Sequence, residues 1–245
     1  MPKNNSRFTV PAKKTASGTA KHDKLTVIIP VAGMGHRMKS YGPKCLFPTS
    51  KNRTIIERLI GNVKKVFPYS EIIVVVGFEA NKIISTLPSH VRVVENQLYE
   101  ETNIVESLRL ALNNSVHDNI LIIHGDLIFN VYTLHGITSD SSCAIVDTKD
   151  RFGKNEIGVN IFENKITNFS YGLQNKWAQI IYLTGHELEI FKSLCSERDK
   201  NKMYMFEILN MVIDKNGLIE AREPKGMQIL EVDSLKDLPN WGKSV

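Results

Sequence analysis

Residues 27–48 read VIIPVAGMGHRMKSYGPKCLFP, and their order decides the fold. A strand-like run, Leu25 to Val31, apolar but for Thr26, passes straight into Ala32-Gly33-Met34-Gly35-His36-Arg37-Met38, and Pro43-Lys44 follow on the same loop. Such a run is strand-sized, and two glycines at its exit let the backbone turn sharply and bring bare N–H groups against an anion. Arg37 and Lys44 add fixed positive charge, so the loop suits a triphosphate. It is not a P-loop, which needs Gly-Lys-Ser/Thr after its spacer. Nor is it the dinucleotide fingerprint, which needs a third glycine where this chain has Met38.

Outward from that loop, Ile55, Ile56, Leu59, Ile60, Val63, Val66 and Phe67 recur at helical spacing and predict an amphipathic helix over about 54–67. Glu71 to Gly77 (EIIVVVG) reads as a strand covered on both faces. A short helix after Glu79, a strand Val91 to Glu95, a helix Asn103 to Leu112 and a strand Asn119 to His124 continue the alternation. The fold expected is α/β, a Rossmann-like three-layer sandwich with a mixed, mostly parallel sheet. Beyond about residue 140 the rhythm changes to shorter strands, at Ser142 to Thr148, Ile157 to Phe162, Lys165 to Phe169 and Trp177 to Leu183. Helices from about Gly185 and Met203 and strands at Leu218 to Ala221 and Met227 to Glu231 close the chain. We therefore expect a basic tail over 1–24 and one domain over 25–245, its nucleotide-binding half at about 25–140 and its acceptor-binding half at about 141–245.

The formal charge of +5 is confined to that tail, where six basic residues face Asp23 alone. The rest of the chain carries 25 basic and 25 acidic residues. A neutral body argues against a nucleic-acid groove. The tail's Lys, Thr, Ser and Ala predict a disordered, solvated leader. No apolar run approaches the ~20 residues of a membrane helix, and no apolar core of a secretory signal is seen. The three cysteines, Cys45, Cys143 and Cys195, form no C-x-x-C pair, as expected of reduced thiols in a cytoplasmic protein. Cys45 reads as a filler side chain.

The loop residues Ala32, Gly33, Gly35, Arg37, Met38, Pro43 and Lys44 resemble the AAGxGTRM…PK signature of the nucleotidyltransferases that couple an NTP to a phosphorylated metabolite. His36 stands where a small hydroxyl residue is usual, and the spacer before Pro43 is short. Two further blocks follow in the order that resemblance implies. Asp126, in His124-Gly125-Asp126 at the end of an apolar strand, matches the aspartate that holds Mg²⁺, and Asp233, in Glu231-Val232-Asp233-Ser234-Leu235, matches the second. Two carboxylates with phosphate oxygens are a typical Mg²⁺ environment. His124 itself reads first as a strand-end histidine packed in the sheet. Asn96, Tyr99, Thr102, Asn103, Ser107 and Leu108 are similar to the helix-opening block of relatives that use CTP, although Thr102 or Asn103 serves equally well as a helix N-cap. Gly77 is the position at which the base would approach the backbone.

The resemblance is closest to the phosphocholine cytidylyltransferase-like branch. It implies CTP and a small phosphorylated acceptor as partners, Mg²⁺ as cofactor, and catalytic charge on Arg37 and Lys44. Phosphocholine or a similar small phosphorylated metabolite is the acceptor expected, with Trp177 and Tyr204 as candidate aromatic walls and Glu207 as the acidic residue many relatives place beside the acceptor. A sugar-1-phosphate nucleotidyltransferase using UTP or dTTP is the alternative, and a homo-oligomer stays open. A glycosyltransferase would want Asp-x-Asp where this chain has His124-Gly125-Asp126. A non-catalytic nucleotide-binding regulator would not need Lys44, Asp126 and Asp233 together.

Overall fold

The computed structural model describes residues 24–34, 42–49, 53–149 and 156–232. Gly35, Arg37 and Asp233, the basic tail expected to be disordered (all but Lys24) and the loop spacer lie outside the described residues. Four strands, β1 (Thr26–Pro30), β2 (Glu71–Val76), β3 (Arg92–Glu95) and β4 (Asn119–Ile123), pair in parallel in the order β3-β2-β1-β4. Between them run α1 (Ile55–Val66), α2 (Ala80–Ile84) and α3 (Ile104–Asn114). Thr54 caps α1 through a box in which its N–H donates to the Glu57 carboxylate at 2.7 Å.

The apolar runs alternate across the sheet. Ile28, Ile73, Val75, Ile120 and Ile122 face one helical layer, where they meet Val105 and Leu108 of α3. Val27, Ile29, Ile72, Val74, Leu121 and Ile123 face the other, with Leu59, Ile60 and Val63 of α1. A strand buried on both faces has no polar side, which is why these runs are continuous.

Past β4 the chain adds the short β5 (Leu127–Phe129), then β6 (Cys143–Asp147), β7 (Ile157–Phe162), β8 (Lys165–Tyr171) and β9 (Asn175–Thr184). It ends with α4 (Gly185–Ser196), α5 (Met205–Asp214), β10 (Glu220–Arg222) and β11 (Ile229–Glu231). Leu188, Phe191, Ile208 and Leu209 of α4 and α5 join the α3 layer. The main sheet runs β3-β2-β1-β4-β9-β6-β10-β8-β7, so strands from both sides of residue 140 share it. It is mixed, as expected, but not mostly parallel. Among the described residues, β9 is antiparallel to both β4 and β6, and β8 to both β7 and β10. The reason is the connection: β7 and β8 are joined by a tight turn with Glu163 and Asn164 at φ 47° and 64°, which returns the chain without a crossover helix. No described helix is long and apolar enough to cross a membrane.

Gly77 shows how closely the loop after β1 is held. A Cβ there would lie 2.8 Å from the Ala32 carbonyl oxygen and 2.9 Å from the Tyr99 Cβ. Gly77→Ala should therefore lower the unfolding free energy by about 1–3 kcal/mol in urea titration. Gly33→Ala, whose Cβ would meet nothing within 4 Å, should leave it unchanged.

Candidate active site

β1 has β2 on one side and β4 on the other, so the strand order reverses at β1, the place where open α/β sheets bind ligands. A cavity of about 700 Å³ opens there. Its near wall consists of Ala32 and Gly33 after β1, Lys44 and Cys45, Asn96 to Ser107 around the start of α3, and His124 to Asp126 after β4. Gly125 permits this approach, because a Cβ on it would fall 2.1 Å from the Val31 Cγ1.

Lys44 begins a short 3-10 turn, Lys44–Leu46, opened by Pro43 and closed by the Phe47 N–H donating to the Lys44 carbonyl at 3.0 Å. Cys45 and Phe47 are buried and anchor the turn, which leaves the lysine on the cavity side. Its Nζ lies 3.6 Å from Asp126 Oδ2. The two residues singled out in separate motifs, 82 positions apart, thus meet as an ion pair at the crevice. Burial pushes the Cys45 thiol up to about 12, with the Asp126 charge adding to the rise, so it is a packed thiol and not a nucleophile.

Asp126 is tied to the end of the chain. β11 pairs antiparallel with β5, Glu231 opposite Leu127, and the Val232 N–H donates to the Asp126 carbonyl at 2.9 Å. The backbone is therefore held against Asp126 one residue before Asp233.

At α3, the buried Asn96 is the hub. Its Nδ2 donates to Thr102 Oγ1 at 3.2 Å and to Ser107 Oγ at 3.1 Å, and its Oδ1 accepts from the Leu98 N–H at 3.0 Å. Asn103 caps the helix, accepting the Ile104 N–H at 2.8 Å, while its own N–H donates to the Asn201 carbonyl at 2.9 Å. Thr102, Asn103 and Ser107 all line the cavity. Gly77 does not; it packs behind Ala32 and Tyr99.

The far wall comes from the second half. Trp177 lines the cavity but is only 2% exposed, its Nε1–H donating to the Ile180 carbonyl at 3.3 Å. Tyr204 stands half exposed at the rim, stacked on Phe206 at 5.9 Å, and Tyr171 meets Phe206 edge-on at 5.5 Å. Glu207 is not among the lining residues; its carboxylate accepts the Tyr204 N–H at 2.7 Å and caps α5.

Sequence reasoning missed several lining groups. Glu156 and Glu231 share Lys176, at 3.1 and 3.7 Å. Gln179 enters the cavity from a bulge in β9, where it takes φ 56° and the register against β6 slips. His124, read as a packed histidine, lines the cavity too. Burial pushes its imidazole down to about 4, against the opposing pull of Glu231 and a hydrogen bond with Gln179. The signal for His124 and Glu231 was their place in the two metal motifs; for Gln179 there was none.

The architecture recurs in solved structures. It is similar to CTP:phosphocholine cytidylyltransferase from Streptococcus pneumoniae, with TM-score 0.72, 19% identity, and 89% of this chain and 97% of that one covered. Inositol-1-phosphate CTP transferase from T. maritima aligns with TM-score 0.71, 18% identity and 87% and 91% coverage. The fold is that of the nucleotidyltransferases. A UDP-glucose pyrophosphorylase from Acinetobacter baumanii shares it at TM-score 0.66 and 13% identity, over 88% of this chain and 91% of that one. No family model matches the chain, and no curated protein matches its sequence. Within this nucleotidyltransferase fold, the Lys44–Asp126 pair and the start of α3 occupy the crevice at the strand reversal.

Asn96 is the residue on which the near wall depends. Asn96→Ala removes a buried partner from Thr102, Ser107 and Leu98, and should lower unfolding free energy by about 1–3 kcal/mol. Urea titration measures it. Leu98→Ala, on an exposed side chain, should cost far less.

Proposed function

We propose that this chain transfers the nucleotidyl group of an NTP, CTP by preference, to a small phosphorylated acceptor and releases pyrophosphate. The observation that carries the reading is the meeting of Lys44 and Asp126, 3.6 Å apart, where the strand order reverses. In the reaction, an acceptor phosphate oxygen attacks the α-phosphorus, a new P–O bond forms, and the bond to the β-phosphate oxygen breaks. No general base is needed, since a phosphate nucleophile is already ionised at neutral pH. The barrier falls by positioning and charge neutralisation. The half over 25–140 would bind the nucleotide and the half over 141–245 the acceptor.

Gly33 and Gly35 would offer backbone N–H groups, with Arg37, to the departing β- and γ-phosphates, and Lys44 would approach the α-phosphate. Thr102, Asn103 and Ser107 are short polar groups at a helix start, suited to a pyrimidine edge, and Gly77 would keep the backbone behind that edge close. Two of the similar structures use CTP by name, which supports the same nucleotide here. Tyr204 would form part of the acceptor rim, with Trp177 deeper and Glu207 fixing the turn that carries Tyr204.

Mg²⁺ fits the donor chemistry of the site. The carboxylate of Asp126 faces the cavity, the chain toward Asp233 is hydrogen-bonded beside it, and a hard cation with few protein ligands takes its other oxygens from phosphate and water. Asp126 and Asp233 would hold it, and when bound it supplies charge neutralisation and alignment of the two reactants.

Pyrophosphate release with a panel of NTPs and phosphorylated acceptors tests the reading and separates it from glycosyl transfer. CTP should be favoured over UTP, and both over ATP and GTP. Lys44→Ala should reduce turnover by about 10²–10³ without loss of fold, and Asp126→Asn should lose the Mg²⁺-dependent activity. Full activity in both variants would remove the site from consideration.

A further inference from the structure

The short polar groups at the start of α3 do not face the cavity equally. Asn96 and Ser107 are 2% and 3% exposed, whereas Thr102 and Asn103 are half-buried and line the crevice. Contact with a ligand on this wall therefore falls to Thr102 and Asn103, with Asn96 and Ser107 behind them. The hydrogen bonds of the Thr102 hydroxyl are directed by backbone groups. An N–H can only donate, and that of Leu98 donates to Asn96 Oδ1 at 3.0 Å, which turns the amide nitrogen toward Thr102. That nitrogen donates to Thr102 Oγ1 at 3.2 Å. A carbonyl can only accept, and that of Leu98 takes the Thr102 hydroxyl proton at 2.6 Å. A hydroxyl has one proton and two lone pairs. The proton and one lone pair are committed inside the turn, and one lone pair is left for a ligand. Toward the cavity Thr102 is an acceptor. Asn103 has the opposite sign: its Oδ1 accepts the Ile104 N–H at 2.8 Å, which leaves Nδ2 as the donor of that side chain.

Position says which part of a nucleotide meets this pair. The phosphates belong beside Lys44 and Asp126, where β1 and β4 end, and Asn96 directly follows β3, two strands from β1. At the usual spacing of neighbouring strands that is about 10 Å, the reach from an α-phosphate past the ribose to the far edge of a base. On cytosine that edge carries the 4-amino donor beside the N3 acceptor, the complement of a Thr102 acceptor and an Asn103 donor. On uracil or thymine the order is reversed, and O4 would face the Thr102 lone pair.

We propose that Thr102 Oγ1 is the specificity-determining group for the nucleotide, accepting a 4-amino hydrogen of cytosine and rejecting 4-oxo pyrimidines. This rests on the nucleotidyl-transfer reading and names the atom behind its preference for CTP.

The test is calorimetric titration of the full chain, with Mg²⁺ and no acceptor, against CTP, UTP and the triphosphate of the pyrimidin-2-one riboside, which has no group at position 4. CTP should bind about 10–100-fold more tightly than UTP, the scale set by one buried polar group left unpaired. The pyrimidin-2-one nucleotide, which keeps N3 but lacks the amine, should also bind more weakly than CTP. Thr102→Val keeps the shape and removes the oxygen, and should bring the CTP to UTP ratio toward one. Thr102→Ser keeps the hydroxyl and should preserve it. A threonine that only braced the turn, or that met the ribose, would weaken both nucleotides alike in Thr102→Val and leave the ratio unmoved, which overturns the inference. Equal binding of CTP and UTP, or of CTP and the pyrimidin-2-one nucleotide, overturns it as well, in a comparison that needs no variant to fold. Selective CTP binding without pyrophosphate release to any phosphorylated acceptor overturns the transfer reading alone. No binding of any nucleotide overturns both.

Discussion

The pairing of β1 with β4, Thr26 opposite Ile120 through Ile28 opposite Ile122, is the constraint on which the site depends. It ends both strands at one edge, so that the loop after one and the carboxylate after the other open into a single crevice. Parallel strands cannot be joined by a tight turn, and the two must be brought together by packing of the intervening helices on both faces. Close approach then requires the absence of a side chain at two points. Gly125 leaves room for Val31, and Gly77 leaves room for Ala32 and Tyr99. These glycines belong to the scaffold of the site: they let the chain after β2 and after β4 close on the end of β1.

The crevice has two walls of different character. The near wall is preorganised by short local bonds, with Asn96 holding the turn and Asn103 capping the helix, so its small hydroxyls are fixed before any ligand arrives. The far wall is assembled from distant strands and a rim of rings packed on one another. Its charges are internally balanced in part, since Lys176 serves both Glu156 and Glu231. Selectivity there must come from shape and from individual hydrogen bonds rather than from net charge.

Much of the first half was legible in the sequence because its signals are local. Continuous apolar runs give strands covered on both faces, and the loop after β1 announces itself by glycine and basic residues in order. Lys44 and Asp126 could be picked out because each follows a strand or loop of recognisable type. The second half was less legible for a physical reason: short alternating strands carry no mark of direction, and β9 running antiparallel to β4 is decided by a hairpin and by packing. The bulge at Gln179 depends on tertiary closure by Trp177, which no spacing reveals. Glu207, placed beside the acceptor by the resemblance, also accepts the Tyr204 N–H and caps α5, a contact its place in the motif did not announce.

The hydrogen bond from the Asn103 N–H to the Asn201 carbonyl joins the two walls directly. Asn201 lies three residues before Tyr204, so the start of α3 and the approach to the aromatic rim are one mechanical unit. Neither wall can be displaced without stretching that bond or carrying the other along. Any two ligands held on opposite sides of the crevice would share that strut, and by thermodynamic reciprocity an influence of one on the affinity of the other through it would run equally in both directions.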